Sequence, residues 1–192
     1  MTITILFLIS ILIFQGAIIL RFYNEKKRFS GELKKFKNTD ALYKMAYTDD
    51  LTGLYNRAAF HKHSLSFEVG GRGKDSIIVL FDVDDFKKIN DTQGHLAGDE
   101  VLKEVSEILT KVFSFPDCKV YRIGGDEFAV MTKGIDEDAV INVLIGMQKC
   151  LEKESTIRLS KGYAIINGDI DKAFDEADQM LYADKLRKNI HK

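Results

Sequence analysis

The sequence of 192 residues has no tryptophan, one proline, two cysteines and a formal net charge of -1. A charge so near zero excludes the general basic surface that a nucleic-acid-binding protein carries. The single proline and the absence of low-complexity tracts exclude a disordered chain. Cys118 and Cys150 lack metal-ligand spacing, so we interpret both as reduced thiols of an intracellular domain and expect no disulfide. With 45% hydrophobic residues, the chain has room for one domain and a short appendage.

Charged side chains are also absent from residues 3–20, a stretch of 18 residues that is long enough to cross a bilayer. We therefore predict a transmembrane anchor over residues 1–21. A cleaved signal peptide is the alternative, but no positive charge precedes the apolar run and no clear cleavage site follows it. Lysines and arginines follow closely, from Arg21 to Lys37, so the positive-inside rule predicts a single-pass protein of the inner (cytoplasmic) membrane with its C-terminal domain in the cytoplasm.

Aromatic residues recur every seven positions after this span, at Phe22, Phe29, Phe36 and Tyr43. We predict a helical stalk or linker over residues 22–45. The stripe is compatible with a dimer seam and equally with an amphipathic helix near the membrane surface.

Two acidic segments indicate a site for chemistry. Residues 77–81 form an apolar run typical of a strand buried on both faces, and Asp82 follows it directly. Further on, Gly124 and Gly125 precede Asp126 and Glu127 between two strand-forming runs, which predicts a hairpin turn. If the strand pairs beside the hairpin, Asp82 and Asp126 meet and form hard oxygen ligands for Mg2+ next to a polyphosphate. The alternative is that Asp82 caps a loop and Asp126 is a solvated turn residue.

Helical patterns alternate with these strands. A helix is expected after Asn56, which is a good N-cap. Apolar faces over residues 101–112 and 140–151 predict two more helices, a strand is expected over residues 157–166, and a last helix carries Ala177 and Leu181. This order predicts an α+β sandwich whose mixed sheet is covered by helices.

Several motifs in this order resemble the GGDEF domain of diguanylate cyclases, and the resemblance covers residues 46–190. The matching segments are 49–57, Phe81–Asp84 with Phe86, Lys87, Asn90 and Asp91, Gly94-His95, Gly98-Asp99, the glycine hairpin, 160–164, and 177–182 with Lys185. The resemblance implies a ferredoxin-like core, similar to nucleotide cyclase and polymerase palm domains. We assign this domain to residues 46–192.

The resemblance also implies an activity, the condensation of two GTP into cyclic di-GMP and two pyrophosphates, in which a ribose 3′-hydroxyl attacks an α-phosphate. Metal ligands would be Asp82, Asp126 and the backbone of Val83, with Mg2+ or Mn2+ as cofactor. Asp126 and Glu127 are the candidate catalytic residues, although a structural contact is an open alternative for Glu127.

Substrate contacts follow from the same resemblance. Asn90 and Asp99 would read guanine, although a turn former and a helix cap are their alternatives. His95 would contact substrate, although a packing residue is its alternative. Lys87 and Lys185 would bind the β- and γ-phosphates.

Two positions depart from the family pattern. Asn189 stands where an arginine commonly grips phosphate, which leaves Lys188 or Arg187 as substitutes. The Arg-x-x-Asp product-inhibition site would fall on Phe115 and Cys118, so we do not expect it.

Each domain would hold one GTP, so a homodimer is expected to carry out the reaction. The alternatives are a GTP-binding signalling module with weak or no turnover, and another nucleotide cyclase or polymerase-like transferase on the same core.

Overall fold

The computed structural model describes residues 21–28, 40–69 and 76–190. The chain divides into two compact units, residues 1–45 and 46–192. Residues 21–28 and 40–47 are helical. The predicted stalk is therefore described only in part, and Phe29 and Phe36 of its aromatic repeat lie outside the described residues.

The membrane prediction needs correction. Residues 1–20 of the predicted anchor lie outside the described residues. Among the residues that are described, no helix is both long and apolar enough to cross a bilayer. This finding contradicts the predicted single-pass location in the inner membrane, which we do not retain.

The second unit alternates helices and strands. Its helices are α1 (Arg57–Val69), α2 (Phe86–Gln93), α3 (His95–Val112), α4 (Glu137–Glu154) and α5 (Ile170–Ile190). Its strands are β1 (Ser76–Val83), β2 (Lys119–Arg122), β3 (Glu127–Lys133) and β4 (Leu159–Ile165). The helices and strands predicted from the sequence for this unit are present. Asn56 caps α1 as expected, because its side-chain oxygen accepts a hydrogen bond from Ala59 N at 3.0 Å.

The four strands form one sheet in the order β2-β3-β1-β4, and every pairing of named strands is antiparallel. The predicted mixed sheet is therefore wrong. The reason is that α2 and α3 carry the chain from β1 to the edge strand β2, and the glycine hairpin then returns β3 into the position beside β1. Both neighbours of β1 consequently run opposite to it.

Core side chains cover both faces of β1. Ile77, Val79 and Phe81 pack with α3 and α4 on one face, and Ile78 and Leu80 pack with α1 and α5 on the other. All eight residues of β1 are buried, as the apolar run predicts. Because side chains alternate along a strand, Asp82 lies on the same face as Ile78 and Leu80, towards α5.

Helix α5 lies unusually close to β4. A Cβ atom on Gly162 would lie 2.0 Å from the Ala177 carbonyl oxygen and 2.4 Å from Leu181 N. Only glycine therefore allows this approach of helix backbone to strand. The contact brings the C-terminal turns of α5, which carry Lys185 and Lys188, to the end of β1.

Candidate active site

Asp82 lies near the end of the inner strand β1 and is only 7% exposed. In the sheet it is paired with Glu127, the first residue of β3. Its Oδ2 atom forms an ion pair of 2.6 Å with Lys185 Nζ on α5. A carboxylate that would be costly to bury alone is therefore held beside a cation.

Asp126 is brought to the same place by the glycine turn. The amide of Val83 donates to the Asp126 carbonyl at 3.2 Å, which fixes the turn against the end of β1. A Cβ atom on Gly124 would lie 2.2 Å from Glu127 Oε2. The Glu127 side chain therefore lies over the Gly124 backbone.

One cavity of about 260 Å3 collects most of the predicted metal and phosphate residues. It is lined by Asp82, Val83, Asp84, Asp85, Phe86, Lys87, Asp126, Lys185 and Lys188. Carboxylates thus face lysines across a space that could accept a triphosphate with its counter-ion. Of the site residues predicted from the sequence, Glu127, Asn90, His95 and Asp99 do not line this cavity.

Burial and charges of both signs act on the Asp82 carboxyl. Burial raises the pKa of the Asp82 carboxyl, and the nearby charges of Asp126 and Glu127 raise it further, while Lys185 acts in the opposite direction. Bringing a divalent cation to these carboxylates would relieve their mutual repulsion.

The donor set decides which metals suit this position. Within the described residues, no group of three or more His, Cys, Asp or Glu side chains converges as a metal centre. Two carboxylates and the Val83 backbone fit an ion that takes few protein ligands and keeps places for phosphate oxygens, as Mg2+ does.

The sequence left Lys188 and Arg187 as alternative substitutes for the absent arginine. Of the two, Lys188 lines this cavity. Its Nζ contacts Asp84 Oδ2 at 3.1 Å, Asp184 Oδ2 at 3.2 Å and the Leu159 carbonyl at 2.5 Å. Asp84 also accepts a hydrogen bond of 2.5 Å from Ser160 Oγ. Lys188 thereby links the residue after β1 to β4 and α5 at the cavity wall.

Arg187 points elsewhere. Its Nη2 pairs with Asp184 Oδ1 at 2.5 Å, and it lines a different cavity between α4 and α5. Of the two substitutes for the absent arginine, only Lys188 therefore reaches the cavity of Asp82. The side chain of Asn189 lies outside what the structure describes.

The predicted guanine-reading residues lie on the α2 and α3 helices. Asn90 is on α2, and its side-chain oxygen lies over Gly98, where a Cβ atom would be 2.0 Å away. Asp99 is the next residue on α3 and is half-buried. Gly98 therefore leaves room for the Asn90 amide close to Asp99, whereas His95 is exposed at the start of α3.

Glu127 faces a second space. It lines a cavity of about 200 Å3 with Arg57, His61 and Phe174 among its neighbours. Asp126 is not part of that lining. The two adjacent carboxylates of the glycine turn therefore border different cavities.

Arg122 lies beside the glycine turn and was not singled out by the sequence patterns. It lies at the end of β2 and contacts Asp49 and the carbonyl of Gly125. Asp49 belongs to a turn before α1, and its Oδ1 accepts hydrogen bonds from Thr52 N at 2.9 Å and Thr52 Oγ1 at 2.7 Å. An arginine directly before the glycine turn was a signal, but its partner is 73 residues away and no spacing rule connects them.

An antiparallel sheet with helices on both faces, and carboxylates where its inner strand meets a hairpin turn, defines an α+β domain of the palm type. The chain matches the family described as "Diguanylate cyclase, GGDEF domain" over residues 46–190, and it therefore belongs to the GGDEF domain family. The family predicted from the motifs is confirmed, and it is a family of enzymes.

Individual relatives agree with this membership. The chain is 37% identical over 156 residues to the probable diguanylate cyclase DgcI of Escherichia coli strain K12, covering 80% of this chain and 34% of that protein. It is 32% identical over 164 residues to diguanylate cyclase A of Treponema denticola, covering 77% of this chain and 44% of that protein. The chain thus spans less than half the length of these curated relatives.

A solved structure extends the likeness to the fold. The coiled coil and GGDEF domain of DgcB from Caulobacter crescentus, solved in complex with c-di-GMP, matches with a TM-score of 0.72 and 28% identity. The match covers 81% of this chain and 90% of that chain. The palm-like α+β fold with an antiparallel sheet is therefore common to both proteins.

Proposed function

We propose that this chain is a diguanylate cyclase, which condenses two GTP into cyclic di-GMP and releases two pyrophosphates. The observation that carries the proposal is the shared cavity, in which Asp82 and Asp126 face Lys87, Lys185 and Lys188. The family match over residues 46–190 supports a cyclase domain over residues 46–192.

Some residues of the cavity bind the phosphates, and one accepts a proton. Lys87 and Lys185 bind the β- and γ-phosphates, and their charges offset the negative charge of the triphosphate. Asp126 accepts the proton of the attacking 3′-hydroxyl. Asp82, Asp126 and the Val83 carbonyl hold Mg2+ or Mn2+, which when bound neutralises phosphate charge and lowers the pKa of the hydroxyl.

The reaction also requires recognition of guanine and association of two domains. Asn90 and Asp99 read the guanine, because an amide and a carboxylate together match its donors and acceptors. His95, exposed beside them, contacts the substrate. Each domain holds one GTP, so two domains must face each other for the product to form, and the active species is a homodimer.

The decisive test is turnover by the full chain. The purified protein is incubated with GTP and Mg2+, and cyclic di-GMP and pyrophosphate are measured. Asp126→Asn is expected to lower the rate by at least about 100-fold, since even outer-shell changes at metal sites lower activity by 10- to 100-fold. Asp138→Asn, at an exposed position in the first turn of α4, is the matched control.

The second candidate is a GTP-binding signalling module with weak or no turnover. One observation favours it: Lys185 already forms an ion pair with Asp82, and Lys188 with Asp84, so the carboxylates have partners without a metal. Tight GTP binding by a demonstrated dimer that yields no product would support this candidate and refute the cyclase.

A further inference from the structure

Strand β4 forms one edge of the sheet. The amide of Ile166 donates to the Ser76 carbonyl at 2.8 Å, and the Arg158 carbonyl accepts from Asp84 N at 2.9 Å. Backbone groups alternate in direction along a strand. The even-numbered residues of β4 therefore bond to β1, and the odd-numbered residues direct their N–H and C=O groups away from the sheet.

Helix α5 caps only one end of this free edge. Asp184 Oδ2 accepts from Lys161 N at 3.2 Å, and Lys188 Nζ donates to the Leu159 carbonyl. Beyond that end, no hydrogen bond within the described part of the chain reaches the Lys161 carbonyl, the N–H and C=O of Tyr163, or the Ile165 amide. An open run of strand edge is a template for pairing with another strand.

Apolar side chains flank the open run on both faces of the sheet. Two open cavities of about 400 and 530 Å3 follow the edge between α4 and α5. Ile145 on α4 is 47% exposed and Met180 on α5 is 45% exposed. The single charge on the strand does not block the edge, because Lys161 Nζ donates to Gln148 on α4.

The charges beside the edge are opposite at its two ends. Lys161, Arg187 and Asp184 border the cavity at the capped end, which leaves one net positive charge in its lining. Glu137 and Glu176 border the cavity at the other end. Tyr163 borders both cavities and marks the midpoint. An antiparallel partner strand would place its own basic end beside the acidic end of this strand. Its acidic end would lie beside the basic end.

We propose that a second copy of this chain pairs with β4 edge to edge, antiparallel, about a two-fold axis at Tyr163. In that register Tyr163 exchanges both backbone hydrogen bonds with the partner's Tyr163. Each Ile165 amide donates to the Lys161 carbonyl of the other copy, and the capped Lys161 amide is not needed. The arrangement is isologous, since the basic end of each copy meets the acidic end of the other.

The pairing would join the two sheets into one of eight strands and bring the exposed Ile145 and Met180 of one copy against those of the other. It is separate from the encounter that the cyclase reaction needs. Asp82 pairs with Ser160, at the end of β4 away from Ile165, so an antiparallel pairing puts the two cavities at opposite ends of the joined sheet. The inference therefore does not depend on the proposed function.

A backbone substitution tests the pairing directly. The Tyr163 amide is not used by β1, so Tyr163→Pro removes a donor only from the free edge, where proline is tolerated. Tyr163→Val is the matched control, because it removes the same side chain and keeps the amide. Sedimentation of the full chain gives the dissociation constant of the dimer for each protein.

We expect a dimer in the wild type and in Tyr163→Val, and a dissociation constant at least about tenfold higher in Tyr163→Pro, since two hydrogen bonds are lost per dimer. Circular dichroism checks the fold of each variant. A wild type that stays monomeric at its highest soluble concentration, or a Tyr163→Pro dimer as tight as the control, overturns the proposal.

A side-chain variant decides the question if Tyr163→Pro does not fold. Ile145→Glu puts a charge beside the edge at an exposed position and is expected to weaken the dimer by a similar factor. Leu65→Glu changes a residue on α1 that is 61% exposed and lies outside the lining of both edge cavities. Equal dissociation constants for these two variants would also reject the edge pairing.

Discussion

The guanidinium of Arg122 joins Asp49 to the glycine turn. Its Nη1 atom donates to the two carboxylate oxygens of Asp49 at 3.0 and 3.2 Å. Its Nε and Nη2 atoms donate to the Gly125 carbonyl at 3.1 and 2.7 Å. The segment that precedes α1 is thereby tied to the turn that carries Asp126.

We expect Arg122→Lys to lower the free energy of unfolding by about 1–3 kcal/mol, because an ammonium cannot reproduce the planar fork of donors. Urea denaturation measures the change. Turnover should also fall, since the Gly125 carbonyl loses the two donors that hold the turn. Lys133→Arg, at the exposed end of β3, serves as control. A variant as stable as the wild type would show that the link has no energetic role.

The contact between Arg122 and Asp49 also predicts that the effect of Arg122→Lys on the free energy of unfolding depends on pH. Burial alone raises the pKa of Asp49, but hydrogen bonds from Thr52 and Arg122 outweigh it, so the net pKa is lowered from 3.8. A lowered carboxyl pKa contributes stability above the unfolded-state value, and this contribution is lost as the pH falls through the folded-state value. The stability difference between wild type and Arg122→Lys should therefore be constant near neutral pH and shrink below about pH 3.8. A difference that stays constant into acid would contradict the ion pair.

Asp99→Ala is expected to raise the KM for GTP at least about tenfold, because a charge-assisted hydrogen bond to guanine is lost. Discrimination against ATP should fall in parallel, while Mg2+ binding persists. Steady-state kinetics with both nucleotides measures these effects. Glu100→Ala, at the next and exposed position, is the control. Unchanged selectivity in Asp99→Ala would favour the other nucleotide transferases on this core.

Lys188 and Arg187 form a matched pair of neighbouring cations. Lys188→Met should raise the KM for GTP by about tenfold, because Lys188 lines the cavity of Asp82 and its charge favours phosphate there. Arg187→Met should leave KM almost unchanged, since Arg187 lines the groove between α4 and α5. A larger rise in KM for Arg187→Met than for Lys188→Met would assign the missing phosphate contact to Arg187.

Gly162→Ala tests the close packing of α5 on β4. The added methyl would lie 2.0 Å from the Ala177 carbonyl oxygen, so we expect a loss of about 3 kcal/mol in the free energy of unfolding. Gly146→Ala adds the same methyl group at a position on α4 with no atom within 4 Å. It should raise stability by up to about 1 kcal/mol, as alanine favours helix. If Gly162→Ala and Gly146→Ala had the same free energy of unfolding, α5 could move away from β4 without loss of stability.

Local patterns predicted the elements well and their arrangement less well. The run at residues 77–81 and the turn at Gly124 predicted their own structures, because burial and turn geometry depend on neighbouring residues. The mixed sheet was wrong, since strand direction depends on where the hairpin inserts. The contact between Asp49 and Arg122 was missed because the two residues are distant in sequence. The membrane location inferred from residues 3–20 was contradicted, since no helix among the described residues is long and apolar enough to cross a bilayer.

By itself the sequence determined which residues form strands, turns and helices, and the ordered motifs of the family, because these are properties of short segments. Only the tertiary structure decided that Lys188 rather than Arg187 reaches the cavity of Asp82. It also decided that Asp126 and Glu127 border different cavities and that β4 is left with an open edge. These outcomes depend on how helices pack and strands pair, and contacts between distant segments fix both.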